Sequence, residues 1–506
     1  MRGYKCLRND HQLDLVAQLV DVLSKTELRK VSVSRTLTSS NSLFDIELSA
    51  RQYLTVRLLS LSFNKAILHS IGSNKALKHP LPREWRNALT EQNIQVNHFA
   101  CSLLWVGYTT MLWGYGVFEV VKSVYSLIRS QSTTLGSYVY FQGLNENNIS
   151  SSKDDHNIIN WYLQWKNKSK NIDAIGHSVK CIPKFRHQNL NISYMERLPY
   201  INGINRVYYI FWLVYLILHS ALFFLFNPYP GVLLSEMVKL IRVKLADKNQ
   251  LAKDYIFHNS GILYRPLWTY EAEVKKSRII LYFYGTNIEN FKSKDGYRVT
   301  WPYHLITWPH LLVWNKYQAN FINRFDHCSP IVEEVGVIWF STKDIEISSP
   351  PKNSIAVFDV EAVRTSFYRI LGASIELYVP SISNQFLSDI QEVAEQNNLI
   401  MMHKRKRKIS HKLVHKKYLQ NLKQLQKKEN YIEIDPDLDA TLLIKKTLSS
   451  ISMPFTSTAH IAQSEGRPSV YYDPSGLIQK NDTAAHGIPI LTGISELKEW
   501  VKNIDK

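Results

Sequence analysis

The sequence predicts an α/β protein with a C-terminal Rossmann-like parallel sheet and a helical, apolar N-terminal region. Three observations predict it. Strand and helix patterns alternate from residue 350 to the end. Two uncharged stretches, residues 99–118 and 207–226, lie in the first half. Adjacent prolines, Pro350 and Pro351, stand between two apolar strand patterns and read as a linker. At 506 residues the chain exceeds one ordinary domain, and its 45% hydrophobic content is enough to bury sizeable cores. We therefore divide it into residues 1–250, helical, with a candidate membrane segment at 207–226; residues 251–349, the remainder of an N-terminal α/β domain; and residues 350–506, a Rossmann-like domain.

Residues 207–226 read VYYIFWLVYLILHSALFFLF, with no charge, about the length that crosses a hydrocarbon core. Membrane contact and a buried helix are both open for it. Residues 99–118 carry glycines, threonines and a cysteine, which favours a buried helix. The four cysteines, Cys6, Cys101, Cys181 and Cys328, have neither metal-ligand nor redox spacing. No apolar run follows the first basic residues, so no secretory signal is read there. The net charge of +18 favours an anionic partner: a phosphorylated substrate, an anionic membrane or nucleic acid.

After residue 252 the pattern turns β-rich, with DYIFHNSGILYRPLWTYE, RIILYFYGTN and the apolar strand VGVIWF at 335–340. The C-terminal part then runs strand 354–360, a helix burying Phe386, Leu387, Ile390 and Val393, strand 399–402, polar helix 416–428, strand 431–435, helix 438–446 and strand 448–453. A helix from STAHIAQSE, the strand SVYYD and a closing helix from SELKEWVKNI complete it. In such a sheet ligands bind at the strand C-terminal edge.

Three loops at that edge carry candidate chemistry. Lys404, Arg405, Lys406 and Arg407 follow a strand directly and can grip a phosphate or a sugar carboxylate, whereas residues 412–428 read as a solvated helix face. Thr456, Ser457 and Thr458 open a helix after Pro454; one hydroxyl suffices as a cap, and the surplus points to phosphate. Glu433 and Asp435 in EIDPDLD can hold a ribose, with helix capping as the alternative, and Asp473 before Pro474 reads as a turn former. In the N-terminal part Glu271, His258 and Glu289 are candidate bases by residue type, and Asn259, Ser260, Arg265 and Asn287 candidate linings of an acceptor cleft. No metal or cofactor is expected, the DPDLD run being the place to look for a metal.

ISMPFTSTAHIAQSEGRPSVYYDP, with HKRKR upstream and HNSGILYRPLWTYE…YFYGTN before it, resembles the bacterial polysaccharide-biosynthesis proteins named for their PFTS motif, from about residue 232 to the end. The resemblance implies a GT-B-like two-domain glycosyltransferase of surface carbohydrate synthesis. It is also similar in outline to enzymes that use CMP-linked acidic sugars, whose basic loop would correspond to Lys404–Arg407 and whose Ser/Thr pair to Thr456–Thr458. No His-Pro stands at the basic loop, so CMP, UDP and GDP sugars all remain open.

The leading expectation is a metal-independent glycosyltransferase on the cytoplasmic face of a bacterial inner membrane, peripheral or single-pass. Its partners would be a nucleotide-sugar donor, a glycan or lipid-linked acceptor and the membrane surface, and not nucleic acid. The alternative is a non-catalytic basic scaffold that uses residues 404–428 on anionic lipid or nucleic acid.

Overall fold

The computed structural model describes the chain except residues 1–10, 33–36, 40, 130–136, 150–156, 166–171, 188–189, 287, 290–291, 294–295, 298–301, 326–328, 340–349, 364–378, 407–412, 455 and 505–506. A helical layer comes first: α1 (His11–Lys25), α2 (Ile46–Leu58), α3 (Leu61–Ser73), α4 (Arg83–Glu91) and the 32-residue α5 (His98–Arg129). Asp45 starts α2 by accepting from Leu48 N, as short acceptors at helix N-termini do. These helices share one apolar core with α7 (Asn205–Leu222), α8 (Tyr229–Val232) and α9 (Leu234–Leu245).

The first sheet holds β1 (Tyr138–Phe141), β2 (Ala174–His177), β3 (Phe185–His187), β4 (Leu190–Tyr194), β5 (Asp254–His258), β6 (Arg278–Tyr282), β9 (His310–Val313) and β10 (Ile331–Glu334). The two-residue strands β7 (Lys292–Ser293) and β8 (Gly296–Tyr297) pair only with each other. The sheet order is β10-β9-β6-β5-β1-β2-β4-β3, parallel except for β3 against β4. α6 (Ile158–Gln164), α10 (Trp268–Val274) and α11 (Lys316–Ile322) accompany it. Its central strands, YVYF and RIILY among them, are almost wholly buried, as a parallel sheet covered on both faces requires.

The second sheet runs β13 (Tyr431–Ile434), β12 (Ile400–Lys404), β11 (Ser354–Phe358), β14 (Ser449–Ser452), β15 (Ser469–Asp473), β16 (Ile490–Thr492), all parallel. α12 (Pro380–Gln396), α13 (Lys416–Leu425), α14 (Ala440–Lys445), α15 (Thr458–Ser464) and α16 (Gly493–Lys502) connect and cover it. Counted within the unit, this is strand order 3-2-1-4-5-6, the doubly wound arrangement, whose ligand crevice opens between strands 1 and 4, here β11 and β14. With the antiparallel edge strand β3 set aside, the parallel strands of the first sheet follow that order around β1 and β5 and add β10 at the far edge. The chain is an α/β protein with two parallel-dominated sheets and a helical N-terminal region.

Some expectations change. Residues 1–250 are not helical throughout, because β1 to β4 lie within them. Those strands are three to five residues long, too short to give a strand period. Of the apolar run at 335–340, residues 335–339 follow β10 rather than forming a strand, and Phe340 lies outside the described residues. Among the described residues no helix is long and apolar enough to cross a membrane, which corrects the single-pass alternative for residues 207–226. α7 has 18 residues and stops at Leu222, where a turn closed by Phe226 N to Phe223 O leads into Pro228 and Pro230. Residues 99–118 are not simply buried either. α5 and α7 both pack on α9 and turn apolar stripes outward, including Phe118, Val121, Phe211 and Leu218, with Leu222 still 76% exposed.

Candidate functional site

The two sheets meet through their C-terminal edges. Thr286, in the loop after β6, donates its backbone N–H to Ser457 Oγ at 3.0 Å, and its own hydroxyl lies 3.4 Å from the same oxygen. Ser457 holds the N-cap position of α15 but makes no capping bond with its side chain; the hydroxyl that would satisfy its own helix reaches across to the other sheet. Beside it, Thr456 Oγ1 donates to Met453 O at 2.8 Å, and Thr458 Oγ1 lies 2.9 Å from Ser452 Oγ. The three hydroxyls therefore stand at the β14 side of the β11/β14 crevice.

Two further ties close the junction. Glu289 accepts from Arg324 Nη1 at 2.6 Å and lies 3.5 Å from Thr483 Oγ1; burial raises its carboxyl above the ordinary range. Tyr317 stacks on His486 at 5.8 Å with the rings 10° from parallel, and His460 lies 5.4 Å from His486. Both imidazoles are nearly inaccessible, and burial pulls them down, His486 to about 4 and His460, helped by its neighbour, to about 3.

At the crevice of the first sheet His258 ends β5 against the glycine that follows β1. A Cβ on Gly143, whose φ is +80°, would come 2.4 Å from His258 Nε2, so only glycine fits. Burial lowers the His258 pKa, which keeps the imidazole neutral and able to accept a proton. Ser260 N donates to its Nδ1 at 3.3 Å, Ser260 Oγ lies 2.9 Å from Tyr284 Oη, and Asn259 accepts from Tyr284 N. His258, Asn259 and Ser260 thus stand together at the C-terminal end of β5.

Other candidates sit elsewhere. Glu271 is fully buried and accepts from Ser39 N at 2.8 Å and Ser39 Oγ at 2.6 Å, so it ties the N-terminal segment to α10. Arg265 is buried on Thr269, Thr307 O and Glu273. Asn287 and Arg407 lie outside the described residues. Lys404 is buried and donates to Pro436 O at 3.1 Å, facing Asp435, Asp437 and Asp439. Arg405 bridges Glu361 at 3.2 Å and Glu433 at 3.0 Å. Lys406 is exposed. β12 is one strand removed from β14, so the basic loop shares the edge but not the β11/β14 crevice. Glu433 and Asp435 are farther still, after the edge strand β13. Asp435 accepts from Asp437 N, Asp439 caps α14, and Asp473 accepts from Ser475 N and Ile478 N.

The crevice also holds carboxylates that the sequence reading passed over. Asp359 and Glu361 follow β11, both nearly inaccessible. Asp359 accepts from Tyr418 Oη at 2.5 Å and lies 3.1 Å from His403 Nε2. Burial, working against Arg405, pushes Glu361 up to about 7. The signal was an acidic pair directly after the strand SIAVF, in FDVE.

The profile of the polysaccharide biosynthesis PFTS motif proteins matches residues 214–501, more than half of the chain. The chain belongs to that family. Ser457, the last residue of the PFTS stretch, is thus the one that meets Thr286. No curated protein matches the chain. Among solved structures it is similar to a variant of the wall teichoic acid polymerase TagF, at 13% identity and TM-score 0.39, covering 79% of this chain and 88% of that one. It is also similar to an α,α-trehalose-phosphate synthase (UDP-forming) from Burkholderia vietnamiensis, at 9% identity, TM-score 0.35 and coverage of 74% and 92%. A third is the Methanocaldococcus jannaschii UDP-GlcNAc 2-epimerase in complex with UDP-GlcNAc and UDP, at 11% identity, TM-score 0.32 and coverage of 73% and 92%.

Proposed function

We propose that this PFTS motif protein is a glycosyltransferase that moves a sugar from a nucleotide-sugar to a surface polysaccharide or lipid-linked glycan. The observation that carries the reading is the Thr286–Ser457 junction, where the ligand-binding edges of two doubly wound sheets meet. In this reading the donor phosphate lies at the β11/β14 crevice against Thr456, Ser457 and Thr458, and no metal takes part. The bond from the anomeric carbon to the phosphate oxygen breaks, and a bond to an acceptor oxygen forms. His258, neutral at the opposite crevice, takes the acceptor proton. Nucleotide charge developing at the leaving oxygen is stabilised by the hydroxyls and backbone N–H groups around Ser457. CMP, UDP and GDP sugars are the donors to compare.

The protein works at a membrane surface in this reading, as a peripheral protein on the cytoplasmic face. Support comes from the outward stripes of α5 and α7, which leave large apolar side chains in the open, Phe211 66% and Phe118 61% exposed. A bilayer fits them because the chain carries +18, complementary to anionic lipid. The test is a nucleotide-sugar panel on the full chain with vesicles, product stereochemistry read by NMR. Transfer from one donor supports the reading, and hydrolysis or transfer from none rejects it.

A further inference from the structure

A cavity of about 290 Å³ opens at the C-terminal ends of β1, β2 and β4, walled by α5 and α9. It lies on the same sheet edge as His258, with β1 forming part of both places. Four cations line it: Lys122 from α5, Arg197 after β4, and Lys239 and Arg242 from α9. Two carboxylates do so as well, Glu119 and Glu196. Lys122 lies 3.4 Å from Glu119 and Lys239 2.6 Å from Glu236. The two guanidiniums have no carboxylate at ion-pair distance among the described contacts. Arg242 is 9% exposed and donates to Pro199 O at 2.8 Å and, through Nη1, to Ser126 Oγ at 3.4 Å. Arg197 is half-buried: its Nη1 donates to Gln142 Oε1 at 3.4 Å and its guanidinium lies 5.7 Å from the Trp268 ring, while its Nε is buried with no hydrogen-bond partner. Neutral partners leave both positive charges uncompensated, and two such guanidiniums in one cavity point to an anionic ligand.

The wall indicates how that ligand arrives. Glu119, Lys122, Ser123 and Ser126 face the cavity from α5, while Phe118, Val121 and Tyr125 on the same turns are exposed on its outer side. A helix lying on a bilayer by that stripe would set the cavity mouth at headgroup depth. The volume suits a compact polar group and not an acyl chain, since whole-ligand pockets start at about 300 Å³.

We infer that this cavity binds the phosphate or pyrophosphate headgroup of a membrane-embedded lipid, and so holds the acceptor beside His258. This deepens the glycosyltransferase reading and rests on it. Arg197 and Arg242 grip the phosphate oxygens, and Lys122 meets them at the mouth.

The test compares binding of the full-length protein to phosphatidylcholine vesicles alone, to vesicles doped with farnesyl phosphate, and to vesicles with the same mole fraction of phosphatidylglycerol. Inorganic pyrophosphate serves as competitor, and UDP, CMP and GDP binding is measured in parallel. Wild-type protein should prefer the farnesyl phosphate vesicles about tenfold over either other kind, pyrophosphate should remove that preference, and K122A/R197A should abolish it while keeping binding to plain vesicles. The milder R197K, which keeps the charge but not the fork, should lose part of the preference, so misfolding of the double variant does not decide the matter. Equal binding to farnesyl phosphate and phosphatidylglycerol overturns the inference, as does an undiminished preference in both variants. If a nucleotide binds while either of these results is found, only this inference falls; if no nucleotide binds, the transferase reading itself falls.

Discussion

The backbone N–H of Thr286 donates to Oγ of Ser457 at 3.0 Å, joining the loop after β6 in one sheet to the loop after β14 in the other. A helix-capping hydroxyl has been exchanged for a contact between domains. Replacing Ser457 by Ala removes that contact but no core volume, so stability should fall by about 1 kcal/mol or less. T456A/S457A should abolish transfer with the fold retained. Product assay and far-UV circular dichroism on the same samples check both halves. Retained transfer takes the PFTS hydroxyls out of the mechanism.

Glu271 is predicted to be structural. Its carboxylate takes two hydrogen bonds from Ser39 in a fully buried setting. E271A leaves the Ser39 N–H and hydroxyl unmatched and should cost roughly 1–3 kcal/mol, read as a lower midpoint in urea. Nucleotide affinity of the folded fraction should stay within twofold. A large loss of affinity with unchanged stability would return Glu271 to the active site.

The His460–His486 pair predicts acid sensitivity. Both folded-state pKa values, about 3 and about 4, lie below the ordinary 6.5. The unfolded chain therefore binds more protons between those values, and stability falls as pH drops below about 6.5 towards 4. Glu361 acts with the opposite sign. Its folded value of about 7 exceeds the ordinary 4.5, so the folded chain holds the extra proton, and stability falls as pH rises from 4.5 through 7. Melting temperatures of wild type, H486F and E361Q from pH 4.5 to 8 separate the two. H486F should flatten the acid limb, and E361Q should gain on wild type as pH rises. Parallel curves for all three proteins would refute both assignments.

The outward stripes of α5 and α7 predict membrane binding through exposed side chains. F211D/L218D removes two large apolar contacts worth about 1.5–3 kcal/mol each when buried, so vesicle co-sedimentation should drop at least tenfold. The melting temperature should hold, because both side chains are more than half exposed. Unchanged co-sedimentation would refute this face.

The C-terminal unit was readable from sequence because its strands are apolar runs and its helices amphipathic: Phe386, Leu387, Ile390 and Val393 all prove buried on α12. The strands between residues 138 and 194 were not, since AIGH has no alternation and LNISY alternates over only five residues. Thr456 to Thr458 could be found because hydroxyls crowd one helix start. Glu361 was marked by FDVE after a strand, but its setting was not legible, because it depends on β11 lying next to β14 and on Arg405 lying across from it. For the same reason Lys404 and Arg405 read as free cations: Pro436 O, Glu433 and Glu361 meet them only once β11, β12 and β13 pair. Helix α13 behaves as a solvated face, burying Tyr418, Leu422 and Leu425 beneath its lysines.

Equilibrium dialysis of the full-length protein against CMP, UDP and GDP tests the nucleotide site most directly. Saturable binding of one of them at one site per chain, weakened at least tenfold by T456A/S457A, is the expected result. No binding of any of the three, or equal binding by the double variant, would contradict a nucleotide-sugar site at the junction of the two sheets.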